Sequence, residues 1–327
     1  MRCVYATENW GVHDERWMSA LTEVGFEPVA ISRGTDDEEE FRARVEIAAF
    51  EGGGKAPVLA GPLHTVTHPL IGLDTRLVGL SWGYDIPEMS DLSWLMHLDA
   101  LIVDSQVNID TVTNAGFPYT NITFLPWGVD LQVFTTTGAK GTIGAIPEGQ
   151  RIVLSLRAHE AKYRITEILD GFAILAADLE DVNLVIGHSG SQSKALREQA
   201  RHLSVRQRVH FIGTVSENDL PELLRGADCY VSASEVDGTS VTLLQAMACG
   251  TPAVVSDIDG NRGWVTEGKT GRLFRTGDAG DLASAIRRSL DEPSTADAAR
   301  ALVEKEADWH ANIARLRPAL TGTLIRP

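Results

Sequence analysis

Short apolar runs alternate with stretches of helical periodicity along most of the chain. Cys3–Ala6 is an apolar run that predicts a strand. Trp17, Leu21 and Val24 then recur at i, i+4 and i+7, which predicts a helix over His13–Val24. Pro28–Ser32 is again strand-like. Thr35-Asp36-Asp37-Glu38 opens an acidic helix, because a side-chain cap and carboxylates favour a helix N-terminus. Its charge run reads as a solvated face. Glu51-Gly52-Gly53-Gly54-Lys55 ends that helix, and strands follow at Pro57–Ala60, Leu77–Ser81, Leu98–Val103 and Ile122–Leu125, with helical segments between most of them.

The small, polar, Gly-rich stretch Thr135–Gly141 reads as a linker. A second run of alternation begins at Arg151. Strands are predicted at Ile152–Leu156, Asn183–Ile186, Val209–Ile212, Cys229–Ser232 and Ala253–Ser256. Ile165, Ile168, Leu169 and Phe172 mark one helix face; Val241, Leu244 and Ala248 mark another. A last helical stretch over Asp308–Ala319 follows Leu282–Leu290. No repeat of 20 to 50 residues is visible. Two blocks of β-α alternation predict an α/β chain with two doubly wound parallel sheets, whose ligands lie at the carboxyl ends of the strands. Two such sheets are expected to face one another across a cleft, a common place for a small-molecule site. The expected division is residues 1–140, residues 148–305, and a tail over 306–327 crossing back to the first block.

Composition narrows the function. The 327 residues fit about two domains at ~150 residues each. Lys and Arg total 29 against 45 Asp and Glu, a net charge of −16, so a basic face for nucleic acid or anionic lipid is not expected. No apolar run reaches the ~18 residues of a membrane span. Met1–Glu8 turns polar too soon for a signal peptide, so a cytoplasmic location is expected. The three cysteines, Cys3, Cys229 and Cys249, sit in apolar runs without CxxC spacing and read as buried thiols. The run before Lys55 is not a P-loop: Ala49 breaks GxxxxGK, and Ala56 stands where Ser or Thr would hold magnesium.

The most informative stretch runs from Ser232 to Pro252. A strand ends near Ser232, and a turn with Asp237 and Gly238 follows. Ser240 is a good N-cap for a helix over Val241–Cys249, and Gly250 stops it. The amides of Thr239, Ser240 and Val241 then start a helix at the carboxyl edge of a sheet, which suits a phosphate or diphosphate. On geometry alone an ordinary, well-capped βα turn is the favoured account.

This stretch resembles the retaining GT-B glycosyltransferases of family 4, the glycosyl transferases group 1. Members carry an acidic residue, a Gly-containing turn and a second acidic residue eight positions on, followed by AMACGTP. Here Asp237 takes the first position and Gln245 the second, and Asp237-Gly238-Thr239-Ser240 is similar to the DGxS variant. Ser256-Asp257-Ile258-Asp259-Gly260-Asn261 resembles the SDIxGN loop, and Gly268–Leu273 the hairpin after it. Ser155–Tyr163 resembles the Arg…Lys donor-phosphate segment, with Lys162-Tyr163 where Lys-Gly is commoner. Pro126-Trp127-Gly128-Val129-Asp130 with Phe134 resembles PNGVD…F; Ser81-Trp82-Gly83-Tyr84-Asp85 and His13-Asp14-Glu15-Arg16-Trp17 resemble the SxWGSD and HxxRW stretches of one subgroup.

The resemblance implies two Rossmann-like domains and transfer of a sugar from a UDP- or GDP-linked donor to an acceptor hydroxyl with retention at the anomeric carbon. Arg157 and Lys162 are implied to neutralise the leaving diphosphate, and Asp237 to contact the transferred sugar. Gly11, Gly238, Thr239, Ser240, Val241 and Gln245 are implied to bind the donor. His13, His64 and Trp82 are assigned to the acceptor or sugar side. No enzyme nucleophile, resident cofactor or metal is implied. His64 and His68 lack a third ligand, and the Asp257-Ile258-Asp259 string falls inside the SDIxGN loop.

Each residue also has a plainer reading: surface cations for Arg157 and Lys162, a turn Asp for Asp237, a turn Gly for Gly11, a cap for His13. Gln245 departs from the commoner Glu and loses charge assistance to a ribose hydroxyl. Trp82 replaces a commoner His. Both departures keep open a donor-binding pseudoenzyme, and the shared architecture keeps open a sugar-nucleotide epimerase. A short first block without a basic amphipathic helix favours a soluble acceptor over a lipid-linked one.

Overall fold

The computed structural model describes residues 1–81, 85–86, 91–143 and 145–323. The chain divides into two units, Met1–Trp127 with Trp309–Pro327, and Gly128–Asp308.

The first unit holds a parallel sheet of β1 (Arg2–Thr7), β2 (Glu27–Ser32), β3 (Val58–Ala60), β4 (Leu77–Leu80), β5 (Ala100–Val103) and β6 (Ile122–Phe124), in the order β2-β1-β3-β4-β5-β6. Helices α1 (Val12–Glu23), α2 (Glu38–Phe50) and α3 (Gln106–Asn114) flank it. The register sets Val4 beside Val29 and Val58, so apolar residues stack in rows across the sheet. Asp37 caps α2 by accepting from the Glu40 amide at 2.9 Å, and Ser105 caps α3.

The second unit repeats the plan. Strands β7 (Arg151–Ser155), β8 (Val182–Gly187), β9 (Val209–Gly213), β10 (Cys229–Ser232), β11 (Ala253–Ser256) and β12 (Arg272–Phe274) pair in the order β12-β11-β10-β7-β8-β9, all parallel. The helices are α4 (Ile165–Asp178), α5 (Ser193–His202), α6 (Leu220–Gly226), α7 (Val241–Ala248), α8 (Asp259–Arg262), α9 (Ala279–Asp291) and α10 (Ala296–Glu306). Side chains alternate between two cores. Ile152, Leu154, Tyr230 and Val255 pack with Leu243, Leu244 and Met247 of α7 and Val303 of α10. Val153, Leu184, Val231 and Val254 pack with Ile168, Leu169 and Phe172 of α4 and Ile286 of α9. Burial on both faces is why these strands read as continuous apolar runs.

Most predicted elements recur with ends moved by a residue or two. Two differences have physical causes. The final stretch, expected as one helix over Asp308–Ala319, is two short helices, α11 (Trp309–Ile313) and α12 (Leu316–Thr321). Pro318 lies four residues after Ala314, and a proline ring collides with the carbonyl four residues before it, so the helix breaks there. Strand β12 was not predicted: it is three residues long, begins with an arginine, and exists only by pairing with β11 at a sheet edge.

Trp127 and Trp309 stack in the first unit with ring centroids 5.9 Å apart, and Trp17 meets Trp309 edge-on. Arg76 Nε donates to the Ala319 carbonyl at 2.8 Å, tying α12 to the residue just before β4. Residues 135–141 are tied to the second unit by Arg225 Nε on the Ala139 carbonyl and by the Gly141 amide on Glu222. Among the described residues no helix is long and apolar enough to cross a membrane.

All three cysteines are free and buried, and burial pushes the Cys3 and Cys229 thiols up to about 12 and Cys249 to about 11. The thiolate is the reactive form. In the native protein at pH 8 a thiol reagent is therefore expected to label none of them over minutes, and all three after denaturation. Rapid native labelling would contradict the packing around β1, β10 and the end of α7.

Candidate functional site

In a doubly wound sheet the crevice opens where successive connections leave the sheet in opposite directions. In the second unit the chain runs from β7 to β8 and β9 on one side, then returns to place β10 on the other side of β7. The switch therefore lies between β7 and β10. The loop after β7 carries Arg157 and Lys162; the loop after β10 carries Asp237, Gly238, Thr239 and Ser240.

These two loops meet through Arg157. Its Nη2 donates to Asp237 Oδ2 at 2.6 Å and its Nη1 donates to Ser240 Oγ at 2.8 Å. The two ion-pair side chains are 11 % and 16 % exposed, which removes most of the water that would otherwise screen them. Burial is the largest single influence on the Arg157 pKa and lowers it, but the Asp237 carboxylate together with Tyr230 and Tyr163 more than offsets this and holds it above the ordinary arginine value. The guanidinium carbon sits 4.2 Å from the centre of the Tyr163 ring. Its Nε is buried and has no hydrogen-bond partner among the described residues. Lys162 is exposed, with Nζ 5.2 Å from the same ring centre.

Ser240 is the N-cap of α7, its Oγ accepting from the Leu243 amide. Val241 begins the helix and Gln245 lies half-buried one turn later. Gly250, at φ +74°, ends it. Arg157 is thus held at a helix N-terminus, whose partial positive charge adds to its own.

The loop after β10 has little freedom. A β-carbon at Gly260 would overlap the carbonyl oxygens of Asp237 and Gly238, so α8 crosses this loop at a distance only glycine permits. Beneath it Ser256 Oγ donates to the Ser234 carbonyl at 2.6 Å, and Asn261 Nδ2 donates to the Ser256 carbonyl at 2.8 Å. On the other side, the Glu235 amide donates to the Lys162 carbonyl at 2.8 Å.

His159 fastens the loop after β7 to β8. Its Nε2 lies 3.1 Å from the Gly187 carbonyl, which can only accept, so this nitrogen carries the proton. Its Nδ1 faces Ser193 Oγ at 2.8 Å, at the start of α5. Burial lowers the His159 pKa.

The first unit has its own switch, between β1 and β3. Gly11, after β1, is the N-cap of α1, and its amide donates to Asp14 Oδ2 at 2.7 Å. Asp14 is buried and also accepts from Tyr5 Oη at 2.8 Å, so a strand side chain anchors this glycine loop. His13 lies 5.0 Å from the Trp127 ring, and burial followed by the neighbouring Arg16 charge lowers its pKa. His64 is exposed in the turn after β3, its ring 6.0 Å from that of His68. Trp82 lies outside the described residues. Among the described residues no group of three metal-ligating side chains occurs.

Residues 141–309, more than half of the chain, match the glycosyl transferases group 1 family. The chain belongs to this family. It is 29 % identical over 223 residues to a glycogen synthase of Mycobacterium tuberculosis, covering 66 % of this chain and 53 % of that one. It is 30 % identical over 224 residues to a D-inositol 3-phosphate glycosyltransferase of Mycolicibacterium smegmatis, covering 64 % and 50 %. The chain spans about half the length of the curated relatives it matches. Among solved structures, Anabaena HepE in complex with UDP aligns with a TM-score of 0.79 over 98 % of this chain and 100 % of that one, at 16 % identity. The apo lipopolysaccharide outer core galactosyltransferase WaaB aligns at 0.75 over 99 % and 100 %, also at 16 % identity. At that identity the likeness carries the fold: two Rossmann-like units of the GT-B type.

Several residues that build these two loops were visible in the sequence only as letters of motifs. Tyr163, Gly260, Asn261 and His159 had no role until their neighbours were known. The signals were faint: an aromatic beside a cation, and a glycine just past a strand. Replacing Gly260 with Ala is expected to displace the Asp237–Gly238 turn. The native state should lose on the order of 1–3 kcal/mol in denaturant melts, as overpacked sites do. A G260A protein as stable as wild type would show that the turn yields freely.

Proposed function

We propose that this chain is a retaining glycosyltransferase of family 4, moving a sugar from a UDP- or GDP-linked donor to an acceptor hydroxyl. The observation that carries the reading is the Arg157 guanidinium held at the N-cap of α7, at a topological switch point, with Lys162 five residues on. In a chain of net charge −16 this is a local cationic site beside helix amides that suits two phosphoryl groups. The buried, unsatisfied Arg157 Nε–H adds a donor that a small rotation of the guanidinium offers to a ligand oxygen.

Transfer requires cleavage of the bond between the anomeric carbon and the diphosphate, with oxocarbenium character. Negative charge builds on the departing diphosphate. Arg157, Lys162 and the amides of Ser240, Val241 and Thr239 stabilise it electrostatically, without a resident metal or cofactor. Asp237 shares Arg157 before the donor arrives and faces the sugar hydroxyls afterwards. Gln245 accepts from the ribose through its neutral carbonyl oxygen. The acceptor hydroxyl attacks on the face the diphosphate leaves, and the departing phosphate takes its proton, so no enzyme nucleophile is used. Gly11 approaches the donor phosphate with its backbone, and His13, His64 and Trp82 serve the acceptor or sugar side. The acceptor is a small soluble molecule and the site of action cytoplasmic. The direct Arg157–Asp237 pair favours a second reading, a donor-binding chain that does not turn over, because the carboxylate offsets the positive charge that would stabilise the leaving diphosphate.

Incubation with UDP- and GDP-sugars tests this. Slow release of UDP or GDP is expected for a transferase; binding without release supports the second reading. Lys162→Ala, at an exposed position, should reduce turnover by on the order of 10²–10³-fold while leaving the melting temperature unchanged. Unaltered turnover in both Lys162→Ala and Arg157→Ala would remove the proposed role of the cations.

A further inference from the structure

We propose that Tyr163 is a positioning residue of the donor site, its ring a common floor that gathers the Arg157 and Lys162 cations toward one nucleoside diphosphate. The inference rests on the reading of this site as the donor site. It goes beyond that reading because it assigns the convergence of the two cations to a side chain to which that reading gives no role.

Both cations lie within the range in which an aromatic ring attracts a positive charge, Arg157 at 4.2 Å and Lys162 at 5.2 Å from the ring centre. The ring is itself fixed. It is half-buried and packs against the core formed by Val153, Ile165 and Val231. The Tyr163 amide donates to Glu160 at 3.0 Å, and the preceding carbonyl accepts from Glu235 in the opposite loop at 2.8 Å. Arg157 has two further restraints, Asp237 and Ser240. Lys162 forms no salt bridge among the described residues; beside the attraction of the Glu160 charge, the ring is a second restraint on its flexible four-carbon stem. Two like charges repel when brought together. The negative face of the ring reduces that repulsion without placing a second permanent anion in the path of a diphosphate. The cations are therefore oriented before the ligand arrives, and less rotamer entropy is lost on binding.

The test is calorimetric titration of the full chain with UDP and with GDP. Tyr163→Leu and Tyr163→Met, both lacking a ring, should weaken binding about tenfold with little change in melting temperature. Tyr163→Phe, which keeps the ring, should bind within about twofold of wild type. In the double variant Tyr163→Leu/Lys162→Ala, the loss should not exceed that of Lys162→Ala by the full tenfold, because the ring acts through the lysine. Wild-type affinity in the ringless variants, an equal loss in Tyr163→Phe, or fully additive losses in the double variant would each overturn the inference while leaving the donor site intact. If wild type binds neither nucleotide, the donor-site reading fails and this inference with it.

Discussion

Arg157 joins two loops that leave adjacent strands in opposite directions, and its bonds to Asp237 and Ser240 are what make those loops one site. Withdrawing both charges from water costs several kcal/mol per ion, by order of magnitude, so the pair is a poor way to stabilise a fold. Its effect is on placement. The short charge-assisted bonds, the Ser240 hydroxyl and the Tyr163 ring hold a cation at the carboxyl edge of a sheet in a chain of net charge −16. A guanidinium on a mobile surface side chain would carry the same charge without the orientation.

The surroundings answer that requirement. Gly260 lets α8 close on the Asp237–Gly238 turn, and the Ser234, Ser256 and Asn261 bonds satisfy buried polar groups beneath it. His159 does the same for the loop after β7. The first unit uses the same device in another form: Asp14 receives Tyr5 from β1 and the Gly11 amide from the loop that follows. In both units, backbone at a switch point is held by side chains whose own positions are set by a buried strand. Function can then reside in loops without those loops being loose.

Much of the fold was legible in the chain because parallel strands buried on both faces must be apolar throughout, and helices that cover them must repeat at 3.6 residues. Ile152–Leu156 and the face Ile165, Ile168, Leu169, Phe172 were read for that reason. β12 was not, since an edge strand of three residues draws its stability from its neighbour. The break near Ala314 was written in Pro318 but was outweighed by the apolar pattern around it. In the site, the stretch from Asp237 to Pro252 showed its turn, cap and stop plainly, and Arg157 and Lys162 were found through their motif.

The amino-acid order alone determined which segments become strands and helices, where α7 begins and ends, and which charged residues stand at strand ends. These are local matters, governed by periodicity, capping chemistry and the freedom of glycine. Only the tertiary structure decided that Arg157 bonds Asp237, 80 residues away, that Tyr163 underlies two cations, and that Gly260 is a point of contact. Such pairings depend on strand order, and strand order is set by the burial of whole faces against one another, which no short window of residues contains.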